Sequence, residues 1–158
     1  MSTFGYTTIG GTSGGTAVDD IFLNKFTLSD VASITKMSFH HTAVLGNVKG
    51  VIYTNLYGRP RTRVAITNAA ALSIGWTDAT FATPVLLSPG DYWIGAVYDN
   101  TCSYSYDVVG TRQYKFSSGY ASPVATWWMD NPSDARQHSV YVTYDISTTG
   151  SGLPWIKA

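Results

Sequence analysis

Short runs of alternating apolar and polar residues, each closed by Gly, Pro, Asn or Asp, recur along almost the whole chain. A period of two is the mark of strands with one buried face, because successive side chains on a strand point to opposite sides. The run 138–146 shows it well, with Val140, Val142, Tyr144 and Ile146 alternating against Tyr141, Thr143 and Asp145. The clearest turn, Ser88-Pro89-Gly90-Asp91, launches Tyr92-Trp93-Ile94-Gly95-Ala96-Val97-Tyr98. That segment is apolar on both faces, which predicts a central strand. Similar patterns predict strands over 4–9, 20–28, 32–41, 48–57, 63–66, 74–81, 85–87, 103–109 and 112–116. About eight to ten strands result, near the 8–12 residue spacing of sandwiches and barrels.

Side-chain facing follows from the same alternation. Ile21, Leu23 and Phe26 are expected to face a core, as are Met37, Phe39 and His41, and then Val48, Ile52 and Leu56. Ile34, Lys36, Ser38 and His40 are expected on the opposite face from Met37. Gly58-Arg59-Pro60-Arg61 reads as a tight turn, 68–72 as a bulge or one helical turn, and 103–109 as a strand pairing back on its predecessor. The span 117–137, with Gly119, Pro123 and Pro132, reads as an irregular loop bridging one end. No helical periodicity is long enough to build βαβ units, which disfavours a parallel sheet. The expected fold is all-β: a two-sheet antiparallel β-sandwich of the jelly-roll type, with little or no helix.

Composition agrees with strands and loops. All ten acidic residues are Asp, which favours turns, and there are eleven Tyr, which favour strands. A chain of 158 residues fits one domain. The expected division is a sandwich over 1–147 and a Gly/Ser spacer with an apolar arm over 148–158.

Charge limits the partners. Ten Lys and Arg balance ten Asp, and charged residues are only 13% of the chain. Such a chain lacks the basic field that draws nucleic acid or anionic lipid, so neither is expected as a partner. No stretch is apolar for long enough to be a spanning helix. The opening Met1-Ser2-Thr3-Phe4-Gly5 has neither the basic nor the apolar region of a secretory signal. The single cysteine, Cys102, rules out an intrachain disulfide and reads as a small buried side chain.

The search for chemistry gives no positive signal. His40 and His41 are neighbours on a strand and so diverge, and a metal site would have to join one of them to His138 and an Asp. Asp19-Asp20 reads as a loop end, with a weak calcium site as the alternative. Asp19 with Asp20, or Asp130 with Asp134, could supply an acid/base pair only if the fold set them across a cleft. The glycines from 10 to 15 have no GK[ST] and no strand-to-helix context, and no G-x-S-x-G is present. The chain is therefore read as not an enzyme, with no catalytic residue, no metal and no cofactor.

Two features suggest partner contacts instead. Trp127-Trp128-Met129 lies in the irregular span, where adjacent indoles cannot easily enter one core. Either one ring is buried and the other half-covered, or one is exposed and anchors a partner or stacks on a sugar. The second feature is Leu153-Pro154-Trp155-Ile156 at the end of the polar spacer. These apolar residues are expected to dock on their own sandwich or on a neighbouring subunit. The partner-binding candidates are thus Trp127, Trp128, Met129, Leu153, Trp155 and Ile156.

Several segments carry a resemblance: "FGYTTIGG", "NKFTLSDVASITKMSF", "NVKGVIYTN…GRP", "PVLLSPGDYWIGAVYD" and "SVYVTYDIS". Over about residues 4–147 the chain resembles a jelly-roll-like β-sandwich module of bacterial and archaeal surface proteins and of tailed-phage virion proteins. The resemblance implies display or adhesion and transfers no functional residue. With no export signal at the start, it implies a virion protein made in the host cytoplasm. The expected role is a capsid decoration or cementing protein. Its expected partners are the major capsid protein or other virion subunits, with a homo-oligomer, a trimer, as its form. A carbohydrate-binding or adhesive surface module, with a glycan ligand, is the alternative.

Overall fold

The computed structural model describes residues 1–115, 119–127 and 133–147. Their strands are β1 (Ser2–Gly5), β2 (Thr12–Gly15), β3 (Ile21–Leu28), β4 (Ala32–Ala43), β5 (Asn47–Leu56), β6 (Arg59–Ile66) and β7 (Ala70–Ala71). They continue as β8 (Gly75–Leu87), β9 (Gly90–Tyr98), β10 (Ser103–Asp107), β11 (Arg112–Lys115), β12 (Ser133–Asp134), β13 (Gln137–His138) and β14 (Val140–Ile146). No helix occurs among the described residues. The count exceeds the expected eight to ten because several strands, such as β7, β12 and β13, are two-residue pieces.

All pairings are antiparallel and fall into two sheets. Sheet A runs β1-β14-β4-β10-β13, with β8 on the other side of β4 and β2 on β10. Sheet B runs β12-β11-β3-β9-β5-β6, with β7 on β5. The main core joins them: Phe4, Ile34, Met37, Phe39, Val140 and Val142 of sheet A pack with Phe22, Leu28, Val48, Ile52 and Ile94 of sheet B. This is a two-layer antiparallel sandwich, as the alternation predicts. The strand orders establish the two layers and do not establish the jelly-roll wiring.

The sheets approach closely at Gly50 of β5. A Cβ there would lie 2.5 Å from Met37 Sδ and 2.9 Å from Phe39 Cζ, so only hydrogen fits between the layers. A polar bolt also joins them. Buried Asn24 of β3 donates to the Thr111 carbonyl at 3.1 Å and the Arg136 carbonyl at 2.8 Å, and accepts from His138 N at 3.0 Å.

Several facings and turns differ from the expectation. Thr35 is bulged out of β4, with register shifts against both β8 and β14, so Ile34 returns to the core side with Met37. The β5–β6 turn is Tyr57-Gly58, not 58–61, and both residues are left-handed, φ 52° and 77°. Two left-handed residues match the right-handed twist of a tight hairpin. Pro60 therefore sits inside β6, opposite Asn55, and Leu56 beside the turn is exposed rather than inward. Residues 74–81 and 85–87 are one strand, β8, with a wide irregularity opposite Thr35. β10 does not pair back on β9 but crosses to sheet A, onto β4, β2 and β13.

β9 is central, between β3 and β5, as its two apolar faces predict. Ile94, Ala96 and Tyr98 enter the main core. Trp93 and Val97 face the other way, into a second cluster with Ile21, Leu23, Val51, Tyr53 and Trp127. Ile21 and Leu23 thus serve this outer cluster, while Phe22 and Leu28 serve the main one.

Candidate functional site

The second cluster lies on the outer side of sheet B and is closed by residues 119–127. This strap is pinned at many points. Tyr120 N donates to Asp19 Oδ1 at 2.6 Å, and Lys49 Nζ reaches the Tyr120 carbonyl at 3.2 Å while lying over its ring. Tyr53 OH donates to the Val124 carbonyl at 2.7 Å, and the Arg63 guanidinium donates to the Pro123 carbonyl. Arg63 N then bonds the Ala125 carbonyl and Trp127 N the Arg61 carbonyl, at 2.9 and 2.7 Å, around a Thr62–Thr126 bridge. The strap's end therefore runs as a partner to β6.

Trp127 is the plug under this strap. It is 1% exposed, and its ring meets Tyr53 edge-on at 5.6 Å. Its Nε1 has no hydrogen-bond partner among the described residues. Burial takes Trp127 out of reach of a partner or a sugar. The other partner candidates, Trp128, Met129, Leu153, Trp155 and Ile156, lie outside the described residues.

The histidines are dispersed. His41 is buried, with Nε2 at 3.3 Å from Tyr98 OH, and burial followed by the charge of His40 pushes its pKa down to about 4. His40 faces the other side, with Nδ1 at 2.8 Å from Ser105 Oγ. His138 is buried against Tyr104 and Phe22, and burial, then Arg112 and Arg136, hold it well below its usual value. Among the described residues no three His, Cys or Asp side chains gather around a common point. Asp19 is a left-handed turn residue, φ 67°, whose carboxylate is used by the strap. Cys102 is buried beside Thr16, and burial pushes its thiol up to about 11.

A feature with no sequence signal sits where the sheets meet. Arg112 is 4% exposed and forks onto both carboxylate oxygens of Asp134, Nε to Oδ1 at 2.9 Å, while Nη1 donates to Tyr104 OH at 2.9 Å. Its guanidinium lies over the Phe22 and Tyr114 rings. Arg136 adds a second contact to Tyr104 OH at 3.2 Å. Phe22, Arg112, Tyr114, Asp134 and Arg136 wall a cleft of about 430 Å³. Two arginines face Asp134 and Asp20 there, so formal charges cancel and the cluster reads as a junction between layers.

The last feature is apolar and exposed. Leu45, in the β4–β5 turn, is 59% exposed, and Ile74, just before β8, is 74% exposed. The two loops are held together by Leu72 N donating to the Gly46 carbonyl at 3.1 Å. Beside Leu45 a cleft of about 380 Å³ is lined by Ala43, Val44, Thr101 and Cys102.

Together these observations define an all-β, two-sheet antiparallel sandwich that covers one outer face with its own chain and presents apolar side chains at one end. Comparison with known proteins finds no matching family model, no matching curated protein and no matching solved structure.

Proposed function

We propose that this chain is a non-enzymatic structural virion subunit, a capsid decoration or cementing protein that stabilises a phage shell through contacts between subunits. The observation that carries the reading is the exposure of Leu45 and Ile74 on two loops joined by the bond from Leu72 N to the Gly46 carbonyl. Large apolar side chains left in water on loops that are tied together suit burial against another chain. Covering them is worth roughly 25 cal/mol per Å² before ordering costs. The bond between the two loops supports the reading because it holds them together before any partner binds. The partners are the major capsid protein or other virion subunits, the form is a trimer, and the location is the virion. The apolar residues Leu153, Trp155 and Ile156 supply a second contact, reached through the Gly/Ser spacer.

The test uses purified particles and mass spectrometry of their bound chains. Leu45→Asp with Ile74→Asp, and separately deletion of 148–158, are expected to lower occupancy while leaving the melt of the domain nearly unchanged. Full occupancy by both variants overturns the reading.

A further inference from the structure

Sheet B hides its outer face under residues 119–127, whereas on the outer face of sheet A the chain before β2 packs over β10, where Gly10 N donates to Ser139 Oγ at 2.8 Å. On that face β14, β4 and β8 lie side by side, which sets Tyr141, Ser38 and Asp78 in one row and His40 opposite Trp76 in the next. The row holding Tyr141 begins with Gly5 and has Ser38 in the middle, two residues with little or no side chain. The Trp76 indole reaches diagonally over that gap to the Tyr141 ring, centroids 5.0 Å apart and planes at 63°. His40 meets the same indole edge-on at 5.2 Å. His40, Trp76 and Tyr141 are all half-buried residues.

Fixed polar groups stand beside the rings. The Asp78 carboxylate accepts from Ser38 Oγ at 2.6 Å and from Lys36 Nζ at 2.5 Å. A carboxylate has about four acceptor positions, so two remain for a ligand. Burial raises the Asp78 pKa, but the bonds from Lys36 and Ser38 outweigh it and the group stays ionised at neutral pH. The Ser105 hydroxyl occupies Nδ1 of His40 and thereby fixes the ring.

We propose that this face, centred on Trp76 with Tyr141, His40 and Asp78, binds a neutral carbohydrate. A sugar ring offers an apolar face for an indole and hydroxyls for a carboxylate and an imidazole, and few other ligand classes need both at once. Lys36 and Asp78 cancel in formal charge, which gives no preference for an anionic or a cationic ligand. A peptide strand would add along the free edge of β8 through backbone groups and would not need the rings and carboxylate on the face. The inference does not depend on the chain belonging to a particle.

The experiment is calorimetric titration of the full chain with four soluble probes: cellohexaose, maltohexaose, chitohexaose and mannohexaose. At least one is expected to bind saturably. Trp76→Ala is expected to weaken that binding about tenfold, the loss of one stacking contact, and Asp78→Asn to weaken it several-fold. Trp76→Phe keeps a ring and should retain part of the affinity. Because Asp78 lies on the surface, its variant tests the site even if Trp76→Ala unfolds. Absence of saturable binding by all four probes overturns the proposal, as does binding indifferent to both Trp76→Phe and Asp78→Asn. Loss of particle occupancy in Trp76→Phe without any oligosaccharide binding would also overturn it, by making the face a protein contact.

Discussion

The ring of Trp127 stands edge-on to that of Tyr53, centroids 5.6 Å apart and planes at 75°, and this pair seals a second core on the outer side of sheet B. Tyr53 also holds the covering strap directly, through its hydroxyl to the Val124 carbonyl. One strand residue thus supplies both the floor of the cluster and an anchor for its lid.

Removing the plug should cost what a large buried ring is worth. Trp127→Ala is expected to lower unfolding free energy by about 3–5 kcal/mol, the range for aromatic-to-alanine changes in cores. Tyr53→Phe, which deletes the hydroxyl and leaves the ring, should cost only about 1 kcal/mol. Urea unfolding followed by far-ultraviolet circular dichroism measures both. A loss below 1 kcal/mol for Trp127→Ala would mean that the outer cluster adds little.

The spacing of the two sheets is read out at Gly50. A methyl group there would press on Met37 Sδ and Phe39 Cζ, both inside ordinary contact distance. Gly50→Ala is expected to destabilise by about 1–3 kcal/mol, as overpacking does in tight cores. A neutral or stabilising outcome in thermal melts would show that the layers can part at no cost.

Breaking the Arg112–Asp134 fork should be far more costly than breaking the Lys36–Asp78 pair. Asp134→Ala takes the bidentate partner from a buried guanidinium and leaves only Asp20 in the cleft to balance two arginines, for which about 3–5 kcal/mol is expected. Lys36→Ala removes a surface pair and should cost about 1 kcal/mol or less. Chemical denaturation at low and high salt separates them, because only the exposed pair should respond to ionic strength.

Acid should weaken the fold through its buried histidines. His41 has its pKa lowered from 6.5 to about 4, so between those values the unfolded chain binds a proton that the folded chain refuses. Stability therefore rises with pH across that window and falls on acidification, with the His41 contribution on the order of 3 kcal/mol. His138, lowered further by burial and the two arginines, extends the loss to lower pH. His41→Asn should make the pH 4 to 6.5 part of the denaturation profile less steep, leaving the share that His138 contributes there. An unchanged slope in that variant would exclude His41 as its source.

The sequence by itself determined most of the longer strands and the two-layer class. Alternation in β14 from Val140 to Tyr144, and apolar residues on both faces of β9, fix which residues can be inside, because a strand's side chains have nowhere else to point, although Ile146 at the strand's end is exposed. The divergence of His40 and His41 was legible for the same reason. What the alternation could not show is where a strand skips a residue or what covers an outer face. The bulge at Thr35 flips Ile34 inward, and the turn at Tyr57-Gly58 sends Pro60 into a strand, both through backbone geometry that composition does not encode. The burial of Trp127 against Tyr53, the fork from Arg112 to Asp134, and the meeting of Trp76 with Tyr141 join residues distant in sequence. Such contacts arise only when separate strands are laid in register, so tertiary packing alone decided them.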